Sequence, residues 1–143
     1  MTFQKMHNNL RNHFKTAVVD TSSNLADTDV AWDNTAFNSH RAGDDKAWCR
    51  LQILTGESEG LNLGNDQIRA QGIMLASIFT PAEEGDKLAL ELADEIVSAC
   101  NSKTITLAGN TTILRTPSVN PIGREGAWYQ INVSIPFQSD NVT

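Results

Sequence analysis

The chain has little cysteine, no basic stripe and no long apolar run. Cys49 and Cys100 are its only thiols among 143 residues. Two cysteines do not build the framework of a disulfide-stapled domain, so buried, reduced thiols are expected. No Cys-x-x-Cys or His-x-x-x-His spacing occurs. His7 and His13 are six apart and fall on different faces of a helix, and His40 stands far away in sequence, so no zinc site of ordinary spacing is present. Asp27-Thr-Asp29 opens like a calcium loop but lacks the glycine at position six and the glutamate at position twelve. Gly56, Gly60 and Gly64 have neither dinucleotide nor kinase spacing, and there is no phosphate loop and no Gly-x-Ser-x-Gly elbow. No polar constellation converges on a reaction, so no enzyme, no cofactor and no metal is expected. Apolar stretches stop far short of the roughly 18 residues that span a bilayer. Met1 to His7 has no apolar core of a signal peptide. Neither membrane insertion nor export is expected.

Charge excludes a further class. Eleven basic residues are scattered among seventeen acidic ones, for a net charge of −6. Attractive, counterion-releasing nucleic-acid binding needs clustered cations. An acidic surface serves solubility, or repels a nucleic acid that must pass without sticking.

What is present is periodicity. The length and a hydrophobic content of 40% fit one domain over residues 1–143. Tyr129, Ile131, Val133, Ile135 and Phe137 alternate with Trp128, Gln130, Asn132, Ser134 and Pro136. That predicts a strand with one apolar face. Residues 2–18 read as an amphipathic helix through Phe3, Met6, Leu10, Phe14, Ala17 and Val18. Val30 to Trp32 is a short strand. Ala47 to Leu54 alternates again, with Cys49, Leu51 and Ile53 opposite Trp48, Arg50 and Gln52. Thr55 to Asp66, with three glycines and three acids, reads as a long loop. Gln67 to Phe79 is a long strand, apolar on both faces, and Gly72 marks a bulge or a close backbone approach. Thr80-Pro-Ala-Glu83 has the form of a capping box, although Gly85 also allows a helix start near Asp86. Leu88, Leu92, Ile96 and Cys100 give that helix its buried stripe. A weak hairpin over 104–115, a loop over 117–126 and a polar tail from Gln138 complete the pattern. The predicted class is α+β, a mainly antiparallel sheet flanked by two helices.

Trp48 and Trp128 fall on the polar faces of their strands. Two arrangements account for this: a helix of the same subunit covers that face, or another subunit does. Phe37, after Asp33-Asn34, poses the same choice.

Three segments together resemble a known family. They are Val30-Ala-Trp-Asp-Asn-Thr-Ala-Phe37; Gly72 to Gly85 leading into Ala89 to Ile96; and Gly126-Ala-Trp-Tyr-Gln-Ile-Asn-Val-Ser-Ile-Pro-Phe137. The chain resembles the tail terminator-like proteins of long, flexible-tailed bacteriophages. That family often carries proline before the phenylalanine of the first motif, where Ala36 stands here. The resemblance implies a homohexameric ring that caps the tail tube, ends its elongation and joins the tail to the head or neck. The implied partners are the chain itself, a tail-tube protein and a head–tail connector, with genomic DNA passing through and no sequence-specific contact. The implied location is the virion, after synthesis in the host cytoplasm. Within a ring, Trp32, Asn34, Phe37, Trp48 and Trp128 are expected at a subunit interface. Glu57, Glu59 and Asp66 are expected on a lumen or tube-facing rim. The competing readings are another neck or tail ring, such as a connector or tube-like subunit, and a small-ligand-binding α+β domain.

Overall fold

The computed structural model describes residues 2–19, 30–32, 47–60, 67–81, 87–107, 110–126 and 128–142. A helix α1 (Thr2–Phe14) runs into a π-helical turn (Lys15–Val19). The strands are β1 (Val30–Ala31), β2 (Trp48–Gly60), β3 (Gln67–Pro81), β4 (Thr104–Leu107), β5 (Asn110–Leu114), β6 (Ser118–Glu125) and β7 (Trp128–Val142), with helix α2 (Lys87–Cys100) between β3 and β4. They form one sheet in the order β1-β2-β3-β7-β5-β4, and β6 also pairs with β7. β1 runs parallel to β2, and the other pairings among the described residues are antiparallel.

β3 and β7 form the centre. Their ladder runs without a slip from Gln67↔Val142 to Pro81↔Trp128. One face of it carries Met74, Ala76 and Ile78 beside Ile131, Val133 and Ile135, all buried. β2 adds Cys49, Leu51 and Ile53 to that face. The helices close it. α2 lies over β3 and β7, and α1 reaches β4 and β5. Met6, Leu10, Phe14 and Val18 from the first helical segment join Ala89, Leu92, Ala93, Ile96 and Cys100 from α2 in one core. Burial of each large aliphatic side chain contributes roughly 1.5–3 kcal/mol. His13 Nε2 lies 2.9 Å from the Ala99 carbonyl oxygen, a hydrogen bond that ties α1 to the end of α2.

Several sequence expectations change. Thr80 and Pro81 are not a helix cap: they end β3, opposite Tyr129 and Trp128. The helix begins at Lys87, close to the alternative start. Proline is tolerated at a strand end, where a lost N–H breaks no ladder. The loop expected from Thr55 begins later, because β2 continues to Gly60. The first half of β3 gives it a partner, and a register shift between Thr55 and Ser58 absorbs the extra residues. The polar tail from Gln138 is strand to Val142, held between β3 and β5. The loop over 117–126 contains β6. β5 and β6 share one edge of β7, in effect a single broken strand.

The break has a visible cause. The Arg115 N–H donates to the Pro136 carbonyl at 2.9 Å. Pro136 therefore turns its backbone groups toward the β5/β6 edge, away from β3. Its missing N–H falls where β5 stops, so the central ladder is undisturbed. Farther along, Gly123 has φ +112 at a second register shift, a conformation that side-chain-bearing residues rarely adopt.

Gly72 is the tightest point. A Cβ there would meet the Leu54 carbonyl oxygen and would stand 2.9 Å from Phe137 Cζ. Gly72→Ala should destabilise the fold by about 1–3 kcal/mol, read as a lower urea midpoint. An unchanged midpoint would show that the sheet relaxes around the methyl group.

Candidate interaction face

The second face of the sheet has no described helix on it. β2 contributes Trp48, Arg50, Gln52 and Leu54, β3 contributes Ile73, Leu75, Ser77 and Phe79, and β7 contributes Trp128, Gln130, Asn132, Ser134 and Pro136, as the registers dictate. Strand alternation put these residues together because the opposite set is apolar and went to the core.

At one end lies an aromatic cluster. Trp48 stacks on Phe79 with ring centroids 4.1 Å apart and planes 11° apart. Trp128 meets Trp48 edge-on at 6.0 Å and 88°. Arg50 sits over the Phe79 ring, 5.6 Å from its centroid. The rings are half-buried. Such ring pairs are worth about 0.5–1.5 kcal/mol beyond their buried area. Ser77 lies between Arg50 and Asn132 in register, and its hydroxyl is buried with no hydrogen-bond partner among the described residues. At the other end Arg69 grips Asp140 with both ends of its fork, Nε to Oδ1 at 2.8 Å and a terminal N–H to Oδ2 at 3.1 Å. Glu59 stands opposite Arg69 across the β2–β3 register.

Trp48 and Trp128 are thus brought into contact, on the face away from both helices. Neither α1 nor α2 covers these rings. Trp32 is on the other side. It packs edge-on against Phe14 at 6.2 Å, part of the core rim. Glu57 and Glu59 belong to β2 rather than to a loop. Asn34, Phe37 and Asp66 lie outside the described residues. Phe79 was legible as a strand residue but not as the ring that joins two tryptophans. Arg115 and Gln138, which hydrogen-bond at 3.2 Å on this face, lay in segments read as a weak hairpin and a tail.

Among the described residues no cluster of three or more metal-ligating side chains occurs. No described helix is long and apolar enough to cross a membrane. Burial pushes the Cys49 thiol up to about 12, with Arg50 opposing slightly, and the Cys100 thiol likewise to about 12, with Lys103 opposing. Neither is a nucleophile near neutral pH.

These features describe a sheet with one helical layer and an opposite, aromatic-tipped face that carries no described helix. A family model described as phage tail terminator protein matches residues 5–137. The chain belongs to the phage tail terminator protein family. Its fold has a solved counterpart: a structure that carries no functional name superposes with a TM-score of 0.71 at 17% identity, covering 93% of this chain and 94% of that one. No curated protein matches in sequence. A tail terminator has a structural role in the phage tail. The described parts of the three sequence motifs fall in β1, in β3 and α2, and in β7.

The thiols yield a pH prediction. Their folded values lie above the ordinary 9.0, so the unfolded chain releases these protons first. The stability they contribute is complete below about pH 9 and is lost as pH rises toward 12. A thiol reagent at pH 8 should label neither cysteine until denaturant is added. The urea midpoint should fall from pH 9 to 11 more steeply in the parent protein than in Cys49→Ala. Rapid labelling of the folded chain would contradict the burial of both thiols.

Proposed function

We propose that this protein is the subunit of a homohexameric ring that caps the tail tube, stops its elongation and presents a surface to the head or neck. The observation that carries the reading is the family match over nearly the whole chain. The sheet face supports it. A closed ring needs two different patches on each subunit. The helical layer and the opposite face of the same sheet supply two such patches. Trp48 and Trp128 lie on that opposite face, and tryptophan is enriched where subunits meet. Asn34 and Phe37 are proposed as further contact residues, whereas Trp32, packed on Phe14, is assigned to the fold.

The acidic balance fits passage of DNA. Glu57, Glu59 and Asp66 form the proposed lumen or tube-facing rim, which repels the phosphate backbone so that the genome slides without sticking. The partners are then the chain itself, the tail-tube protein and a neck protein.

Electron microscopy of the phage particle tests this. A single sixfold ring at the head-proximal end of the tube is expected. Density that repeats along the tube would make the chain a tube subunit instead. Alanine variants separate the tryptophans by role. Trp48→Ala and Trp128→Ala should weaken ring assembly tenfold or more, about 1.4 kcal/mol each. Trp32→Ala should chiefly lower the melting temperature, because it removes a ring that leans on Phe14. Full ring assembly by both outer-face variants would remove those tryptophans from the interface.

A further inference from the structure

We propose that a depression on the uncovered sheet face, beside Arg115, receives the outward face of α2 from a second copy of the chain. The inference rests on the ring reading and names the two surfaces that meet.

The depression has a volume of about 430 Å³ and is lined by Gly56, Gly72, Ile73, Pro136, Arg115 and Gln138 among others. Gly56 and Pro136 bring no long side chain to it. Its apolar rim is exposed: Leu54 is 53% accessible and its register partner Ile73 is 41% accessible. Its charge is positive. Three arginines point from this face, and two are engaged: Arg50 over Phe79 and Arg69 with Asp140. Arg115 is exposed, and its side-chain partner among the described residues is the neutral Gln138 amide oxygen. In a chain of net charge −6, an arginine whose partner among the described residues is a neutral amide is a ready seat for an acid.

The chain carries the matching surface on its other layer. Glu91 and Asp94 are exposed along α2, and Leu90 on the same helix is 39% accessible. Asp94, Glu95 and Ser98 line a second depression of about 420 Å³ against Ala17. Glu95 has one carboxylate oxygen buried with no hydrogen-bond partner among the described residues. Lys87 reaches Glu91 only at 4.0 Å, both side chains largely in solvent. One layer therefore presents a cation with apolar neighbours, and the opposite layer presents acids with an apolar neighbour. Two different patches on opposite sides make a head-to-tail contact, the kind that closes a ring. A guanidinium seated at Asp94 and Glu95 also restores solvation to the half-buried carboxylate.

The test uses two full-length charge-reversed proteins, Arg115→Glu and the double variant Glu91→Arg with Asp94→Arg. All the altered residues are exposed, and circular dichroism verifies folding. Assembly is measured by sedimentation at low salt and by capping of tail tubes. Each variant alone should assemble at least tenfold more weakly than the parent. Their mixture should recover, because each then supplies the surface the other lacks. A cross-link gives an independent readout. Ser98→Cys mixed with Arg115→Cys should form an intersubunit disulfide on tail tubes, while neither forms it alone; native Cys49 and Cys100 are buried and do not interfere. Parent-like assembly by both single proteins, no recovery in the mixture, or no disulfide would overturn this contact and leave the ring reading standing. A parent that neither forms rings nor caps tubes would overturn both.

Discussion

The long antiparallel ladder between β3 and β7 is the constraint on which the rest depends. It joins two strands of 15 residues each in one unbroken register. β2 is attached to β3, and β5 and β6 are attached to β7, so no other strand reaches the centre except through this pair. The helices are placed by it as well, since α2 rests on both central strands. The ladder tolerates a proline because Pro136 points its deficient backbone edge outward. It tolerates Phe137 because Gly72, directly across, offers no side chain. A slip of one residue would exchange Met74, Ala76 and Ile78 for their outward neighbours along the whole length.

Much of this was legible in the residues. Strong alternation located the middle of β7 and the second half of β3, and the i, i+4 stripe of Leu88, Leu92, Ile96 and Cys100 located α2. What escaped was structure specified by partners rather than by local pattern. Glu57-Ser-Glu59 and Gln138 to Val142 are poor strand sequences alone, yet each is paired along the ends of β3. Ser118 to Glu125, with a proline and a glycine, becomes strand because the free edge of β7 is there to receive it. The Thr80-Pro81 cap failed for the same reason: the ladder with β7 extended to Trp128 and claimed both residues.

The interaction face was half legible. Trp48 and Trp128 stood out as aromatic residues on polar faces, and their adjacency follows from the register through Phe79. Trp32 looked similar in sequence and went to the opposite side, because β1 pairs parallel with β2 and sets its core face by Val30↔Cys49. The place of Arg115 could not be read at all. It depends on where β5 breaks, and that depends on Pro136, some twenty residues away. For a phage tail terminator protein this division makes sense. Core positions are announced by hydrophobic period, whereas the second face is made of ordinary polar and aromatic residues collected by topology.

The chain order of the central strand has a consequence for synthesis. Every strand that β7 pairs with, β3, β5 and β6, is translated before it. Until residues 128–142 leave the ribosome, β3 has one bare edge and the β4–β5 hairpin has nothing to join. At about 5–20 residues per second the nascent chain spends several seconds in that state. The sheet must therefore close in one late, long-range step, and the open edges of the waiting chain are where misassociation with a neighbouring nascent copy would begin.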